Sequence, residues 1–221
     1  MIHVRFAVTP TAPLTLAGLR VALANVLFSR WHAGLLTLRF DDLDAERCRP
    51  QIAEQIIQDL QWFGVRTVSV LRQSEREDAY RAPIERLKRD QFLYPCFESE
   101  EELRAKQEFR RRRRQSTLYD RAMLSLTPAQ RQTAEAKGKR PYWRLKLSGR
   151  SLSWNDLIQG RRRGDLSTVS DPVLVGADGR PAPLLASVLD DLDTGVTHVI
   201  RGEDSTGNTA IQLELLEILT G

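Results

Sequence analysis

The sequence predicts an α/β fold: a doubly wound parallel sheet interrupted by a basic α+β insertion. Two observations carry this expectation. Strand-like and helix-like runs alternate at short spacing through the first 92 residues, which implies parallel strands joined by crossover helices. From Leu93 that rhythm breaks, and a run of buried-strand type returns only at Val196–Ile200.

Residues 2–8 alternate in polarity and read as a strand. Residues 18–32 place apolar side chains at helical spacing around Arg20, Asn25 and Arg30, and Gly34 closes that helix. Leu35 to Phe40 is a second strand, ending in the acidic cluster Asp41-Asp42-Leu43-Asp44. Pro50 suits the first position of a helix through Phe63, stopped by Gly64. Val65 to Leu71 reads as a third strand and residues 75–91 as an amphipathic helix. In sheets of this kind, ligands sit beyond the carboxyl ends of the strands. Arg5 to Pro13 and Asp41 to Asp44 fall there.

The middle of the chain is built differently. A basic helix is expected over Glu100 to Arg114, and a shorter one begins at Thr127-Pro128, with threonine as cap and proline as first residue. Pro141 to Leu147, Leu152 to Trp154 and Val173 to Val175 read as short strands, with a turn at Ala177-Asp178-Gly179. A last helix spans about Asn208 to Leu219.

Composition narrows the class. The 221 residues are 41% hydrophobic and 28% charged, as in an ordinary globular protein. No apolar run reaches the ~18 residues of a membrane span, and no signal-peptide pattern opens the chain, so a cytoplasmic location is expected. Cys48 and Cys96 form no CxxC pair, and no zinc or other metal site is expected. The net charge of +4 is unevenly spread. Residues 97–164 hold 18 Lys/Arg against 8 Asp/Glu, whereas residues 165–221 hold 2 against 10. A polyanion docking on the middle segment is one reading and a solvated arginine-rich helix face is the other. The candidates for RNA contact are Arg110, Arg111, Arg112, Arg113 and Arg114, with Arg161, Arg162 and Arg163. Tyr119, Tyr142, Trp143 and Trp154 either stack on unpaired bases or, as is commoner, pack the core of the insertion.

Several segments, in order, resemble the catalytic domain of class I glutamyl-tRNA synthetases. Arg5 to Gly18 echoes that family's R-F-A-P-S-P-T-G-x-L-H-I-G. Arg39-Phe40-Asp41-Asp42-Leu43-Asp44 echoes R-[IF]-[ED]-D-x-D. Leu93 to Phe97, Tyr119-Asp120-Arg121, Trp143 to Lys146, Ser170 to Val175 and Thr197 to Asp204 also match. The resemblance implies a class I synthetase Rossmann-type parallel sheet with an inserted acceptor-stem-type domain. It divides the chain into a Rossmann-type first half (1–92), the basic insertion (93–185) and the start of the second half (186–221). It also implies ATP with Mg2+, glutamate or a close analogue, and tRNA as ligands.

By the same resemblance, the amino-acid pocket falls on Arg5, Ala7, Thr9, Asp41, Ser187 and Arg201. The nucleotide falls on Thr11, Thr15, Gly18 and Asp204. The departures are specific. Thr15 stands where the family's HIGH turn has its first histidine, with Ala17-Gly18 after it, and Thr15 and Gly18 are the degenerate catalytic positions. Pro183 stands at the position of a pocket tyrosine. No lysine follows Lys146, so the family's KMSKS lysine has no counterpart. The expectation is a shortened, catalytically impaired relative, with a non-catalytic polyanion-binding role as the alternative. A protein partner or self-association is expected to cover the sheet edge at Val196–Ile200. From the residues alone, Arg5 is read as a strand-end ion pair with Asp41 or Asp42.

Overall fold

The structure, a computed structural model, describes residues 1–221 apart from Val68 and the side chain of Asp204. The chain forms two compact units: Met1–Arg81 with Ala186–Thr206, and Ala82–Leu185 with Gly207–Gly221. Residues 207–221 thus cluster with the insertion, whereas the sequence grouped them with 186–206.

In the first unit, β1 (His3–Val8), β2 (Leu35–Phe40) and β3 (Ser69–Arg72) form a parallel sheet in the order β1-β2-β3. Crossover helices α1 (Leu16–Trp31) and α2 (Pro50–Trp62) join them. The alternation in His-Val-Arg-Phe-Ala-Val and Leu-Leu-Thr-Leu-Arg-Phe sorts the two faces. Val4, Phe6, Leu36, Leu38 and Phe40 pack with Ala22 and Val26 of α1 and Ala53, Ile56 and Leu60 of α2 in one buried cluster. Each Val, Leu, Ile or Phe side chain among them contributes about 1.5–3 kcal/mol on burial. The opposite parity carries Arg5, Thr37 and Arg39, all buried as well. One sheet face is therefore dry and apolar, while the other is buried and charged.

Helix α1 begins at Leu16, two residues earlier than the sequence suggests, because Thr15 caps it: its Oγ1 accepts from the Gly18 amide at 3.1 Å. Gly18 has no Cβ, and one placed there would lie 2.9 Å from Leu14 Cδ1, so the glycine lets the preceding loop fold onto the helix start. Gly34 is needed for a similar reason, since a Cβ would meet the Ile2 carbonyl oxygen at 2.5 Å.

The third strand is shorter than expected over residues 65–71 and starts at Ser69; Val68 lies outside the described residues. Val196–Ile200 forms no strand. It runs beside β1 with a single parallel bridge, Val4 to His198. Thr197 accounts for this. The His3 amide donates to its hydroxyl at 2.9 Å, while the Thr197 amide donates to the His3 carbonyl at 2.9 Å, so a side chain replaces the next ladder bond. The Ile200 carbonyl accepts instead from Asn25 Nδ2 of α1 at 3.2 Å.

Helix α6 (Pro183–Asp193) went unread in the sequence, although proline suits its first position and Leu185, Ala186, Val188 and Leu189 are buried at helical spacing.

In the second unit, α3 (Glu77–Arg89, begun in the first unit) precedes β4 (Leu93–Cys96). Strand β4 pairs antiparallel with β5 (Tyr142–Leu145), and β5 with β8 (Val173–Val175). Between β4 and β5 lie α4 (Glu100–Arg112) and α5 (Pro128–Ala136), each opened by a capping box, from Ser99 and Thr127 respectively. Asp171 is the polar hub. It accepts from Tyr94 Oη at 2.7 Å, Arg121 Nη2 at 2.7 Å and the Leu147 amide at 3.2 Å. Strands β6 (Ser151–Asp156) and β7 (Gly160–Asp165) form a hairpin, and α7 (Thr209–Thr220) closes the chain. The sequence placed a strand near Leu152 to Trp154 but not its basic partner β7. Among the described residues, no helix is long and apolar enough to cross a membrane.

Candidate functional site

The charged face of the β1-β2-β3 sheet is matched by carboxylates from α6. Asp191 Oδ1 accepts from Arg5 Nε at 2.9 Å and from Arg39 Nη1 at 2.8 Å. Arg39 also donates from Nε to Asp41 Oδ1 at 2.7 Å, from Nη2 to Ser187 Oγ at 2.8 Å, and from Nη1 to the Ser187 carbonyl at 3.2 Å. Asp190 is 1% exposed and accepts from Gln73 Nε2 at 2.8 Å, Tyr80 Oη at 2.9 Å and Arg76 Nε at 2.9 Å. Arg76 also reaches Asp193. Strand ends and helix are thereby joined through one ionic lattice.

Arg5 does not pair with Asp41 or Asp42, as its place at a strand end had suggested. It takes Asp191, because β1 residue 5 shares the face that meets α6. Asp42 has another task, accepting from the Ser74 amide at 2.9 Å and the Ser74 hydroxyl at 2.8 Å.

The two buried guanidinium groups differ. Arg39 uses all three of its nitrogens. Arg5 spends only Nε; its two terminal nitrogens donate no hydrogen bond among the described residues, although the side chain keeps only 6% of its surface. Burial, and then the neighbouring Arg39 cation, lower the Arg5 pKa against the pull of Asp191 and Asp41. Burial likewise raises the Asp41 carboxyl, opposed by Arg39. A buried cation with unused fork donors is an arrangement that accepts a carboxylate.

The other expected site residues take simpler places. Ala7 sits in β1 opposite Arg39 in the register, and Thr9 is exposed just after β1. Arg201 is half-buried two residues before a 3-10 turn over Glu203–Asn208. Thr11 is exposed and donates its amide to the Thr9 carbonyl at 2.8 Å. Pro183 is the first residue of α6 and offers no hydroxyl. The side chain of Asp204 lies outside the described residues. At the start of α1, the amide of Gly18 is already taken by Thr15 Oγ1. Of the first three helical amides, those of Leu16 and Ala17 donate no hydrogen bond among the described residues, and such amides can face an anion.

Sequence reasoning quoted Arg39 in its motif without giving it a place in the pocket, and it missed Asp190 and Asp191 altogether. Their signals were an arginine at an inward strand position and a cluster of aspartates at the end of a mostly apolar helix.

The basic candidates divide as sharply. Arg110 pairs with Asp120 at 3.1 Å and donates to the Leu118 carbonyl. Arg111 and Arg112 both pair with Glu108, and Arg113 lies over the Phe109 ring. Arg114 follows α4 in a left-handed conformation, φ 55°. These cations crowd the carboxyl end of α4, where its dipole favours positive charge. In the hairpin, Arg161 and Arg163 share the open face, whereas Arg162 lies on the other with Trp154. Tyr119 lies under the Arg144 guanidinium at 4.1 Å and Trp143 under Lys88 Nζ at 4.7 Å, so both aromatics have local partners. Cys96 is buried 3.5 Å from Tyr119 Oη, and burial pushes its thiol up to about 11.

The profile of the class I tRNA synthetase (E and Q) catalytic domain matches residues 1–220. The chain belongs to this family. It is 50% identical over 219 residues to glutamate–tRNA ligase 2 of Granulibacter bethesdensis, covering 99% of this chain and 49% of that protein. It is 53% identical to the enzyme of the same name from Acidiphilium cryptum, with the same coverage. A crystal structure of a glutamate tRNA ligase from Elizabethkingia meningosepticum, in complex with its amino acid, superposes with a TM-score of 0.92 at 30% identity. That match covers 99% of this chain and 47% of the other. The chain thus spans about half the length of the curated relatives it matches.

Proposed function

We propose that the chain is a glutamyl-tRNA synthetase-like protein of the cytoplasm that retains a receptor for glutamate or a close carboxylate analogue but activates it poorly. Arg5 carries this reading. Its guanidinium is held in place by Asp191, and its terminal nitrogens are uncommitted. Arg39, itself held by Asp41 and Ser187, shares the Asp191 carboxylate with that group, while Thr9, Ala7 and Arg201 stand at the family's remaining pocket positions. The relatives' shared name, glutamate–tRNA ligase, supports the choice of amino acid.

The weak half is the phosphate end. ATP with Mg2+ is the co-substrate the family implies, and its phosphates would meet the start of α1 near Thr11, Thr15 and Gly18. A histidine in the HIGH turn can carry positive charge toward the transferring phosphoryl group. Thr15 cannot, and its hydroxyl is already used as a helix cap. The residues present fit phosphate binding through two backbone amides and fit transition-state stabilisation badly. Loss of one such donor costs about 10²–10³ in rate.

A second reading, RNA binding without chemistry, is favoured by one observation: Arg161 and Arg163 stand together on an exposed ribbon.

Calorimetry with glutamate, with ATP and with a non-hydrolysable glutamyl-adenylate analogue tests the first reading. Binding of glutamate and the analogue, with pyrophosphate exchange barely above background, is expected. Rapid exchange refutes the impairment, and no binding of any of the three refutes the pocket.

A further inference from the structure

The second unit holds an open cleft of about 420 Å³ between α4, α5 and the 3-10 turn Ala122–Ser125. Small-molecule sites run from roughly 300 to 1,000 Å³, so the volume is adequate. Phe97, Met123, Leu126 and Ala134 form an apolar lining, each buried or half-buried. Three lysines and two glutamates also line the cleft. The walls are fixed. Ser99 and Thr127 box the starts of the two helices. Arg121, which donates to Asp171 and to the Leu147 carbonyl, anchors the turn that carries Met123.

The acceptors of this cleft are spent. Glu98 accepts from Lys106 Nζ and from Tyr119 Oη, the latter at 2.6 Å. Glu102 accepts from the Ser99 amide at 2.7 Å and pairs with Lys139 Nζ at 3.9 Å. The Gln130 side-chain oxygen accepts from the Thr127 amide at 2.8 Å. What remains are donors. Lys137 Nζ and Gln130 Nε2 donate no hydrogen bond among the described residues, and Lys139 Nζ donates one, to the Phe97 carbonyl at 3.4 Å. Lys137 and Lys139 flank Gly138, whose φ of 79° turns the chain back at the end of α5. The Gly138 amide closes on the Glu135 carbonyl at 2.8 Å and the Lys139 amide on the Ala134 carbonyl at 3.2 Å. An apolar lining beside surplus cationic donors suits an anion with an apolar body.

We propose that this cleft binds a small organic acid, its carboxylate held by Lys137 and Lys139 and its aryl or alkyl body set against Met123, Leu126 and Ala134. RNA is the poorer fit, because Phe97, the aromatic residue of the lining, is buried and offers no exposed face for a base to stack on. The site belongs to the second unit and is independent of the glutamate receptor at Arg5.

Met1 and Met123 are the two methionines of the chain. The full chain labelled with 13C-methyl methionine therefore gives one signal from the cleft and one control. 2-Naphthoate and octanoate are expected to shift the Met123 signal and to saturate it at about millimolar concentration, leaving Met1 in place. Acetate and glutamate, which lack the apolar body, and octylamine, which reverses the charge, should leave Met123 unmoved. Lys137→Glu, Lys139→Glu should weaken both acids at least about tenfold. Ala134→Phe, which fills the apolar lining, should abolish their effect; melting curves show whether each variant is folded. No shift of Met123 with either acid overturns the proposal, as does undiminished binding in the folded double-glutamate variant. An equal response to octylamine overturns the anion assignment. An RNA stem that moves Met123 where neither acid does overturns the proposal in favour of an RNA contact.

Discussion

Arginine is used in two opposite ways in this chain. In the first unit, Arg5 and Arg39 are buried, and their geometry is set by Asp41, Asp191 and Ser187. In the second, Arg111, Arg112, Arg161 and Arg163 stand in solvent, with neighbours that are themselves exposed. On the reading proposed above, the buried pair is a fixed receptor: every Arg39 nitrogen is spent, and the terminal nitrogens of Arg5 donate no hydrogen bond among the described residues. The exposed groups are a diffuse field, in which position matters less than number. Residue type alone separates neither case. The strand parity that places Arg5 and Arg39 against α6 does.

The contrast is most easily broken at Asp191. Asp191→Ala leaves Arg5 and Arg39 without their shared carboxylate, and denaturant titration should show a loss of about 3–5 kcal/mol. Arg163→Ala should change stability by no more than about 0.5 kcal/mol. Comparable losses from the two variants would erase the distinction between receptor and field.

Titration provides the next test. The Cys96 thiol, raised by burial from 9.0 to about 11, holds its proton more tightly in the folded chain than in the unfolded one. Its contribution to stability is therefore complete below pH 9 and is lost as pH climbs through 11. Melting temperature should fall across that window, and Cys96→Ala should flatten the fall. Thr15 offers a smaller effect. Thr15→Ala removes the cap on the Gly18 amide and should cost about 1 kcal/mol. If Thr15→Ala is neutral in thermal melts, the hydroxyl is not committed to the helix and the argument for a weak phosphate end loses its structural half.

Much of this arrangement was legible in the sequence. Arg39-Phe40-Asp41 at the end of β2 marked the site, and Thr127-Pro128 announced α5 to the residue. What escaped was non-local. Helix α6 hid because its aspartates look like a surface acid cluster until they are set against Arg5, Arg39 and Arg76 from distant strands and turns. Strand β7 hid because Gly-Arg-Arg-Arg-Gly-Asp has no apolar alternation; it is a strand only because β6 pairs with it and Gly164 seats it on α7. Val196–Ile200 misled in the other direction. Its composition is that of a buried strand, but the Thr197 hydroxyl ends the ladder after one bridge.

The central claim is that the terminal nitrogens of Arg5 are a carboxylate receptor. Glutamate titrated calorimetrically into the native chain and into Arg5→Lys, with both shown by melting to be folded, tests it directly. Lysine keeps the charge beside Asp191 but has no fork to offer a ligand. One-site binding to the native chain, and loss of that binding in Arg5→Lys, is the predicted result. Equal heats from both proteins, or none from the native chain, would contradict it.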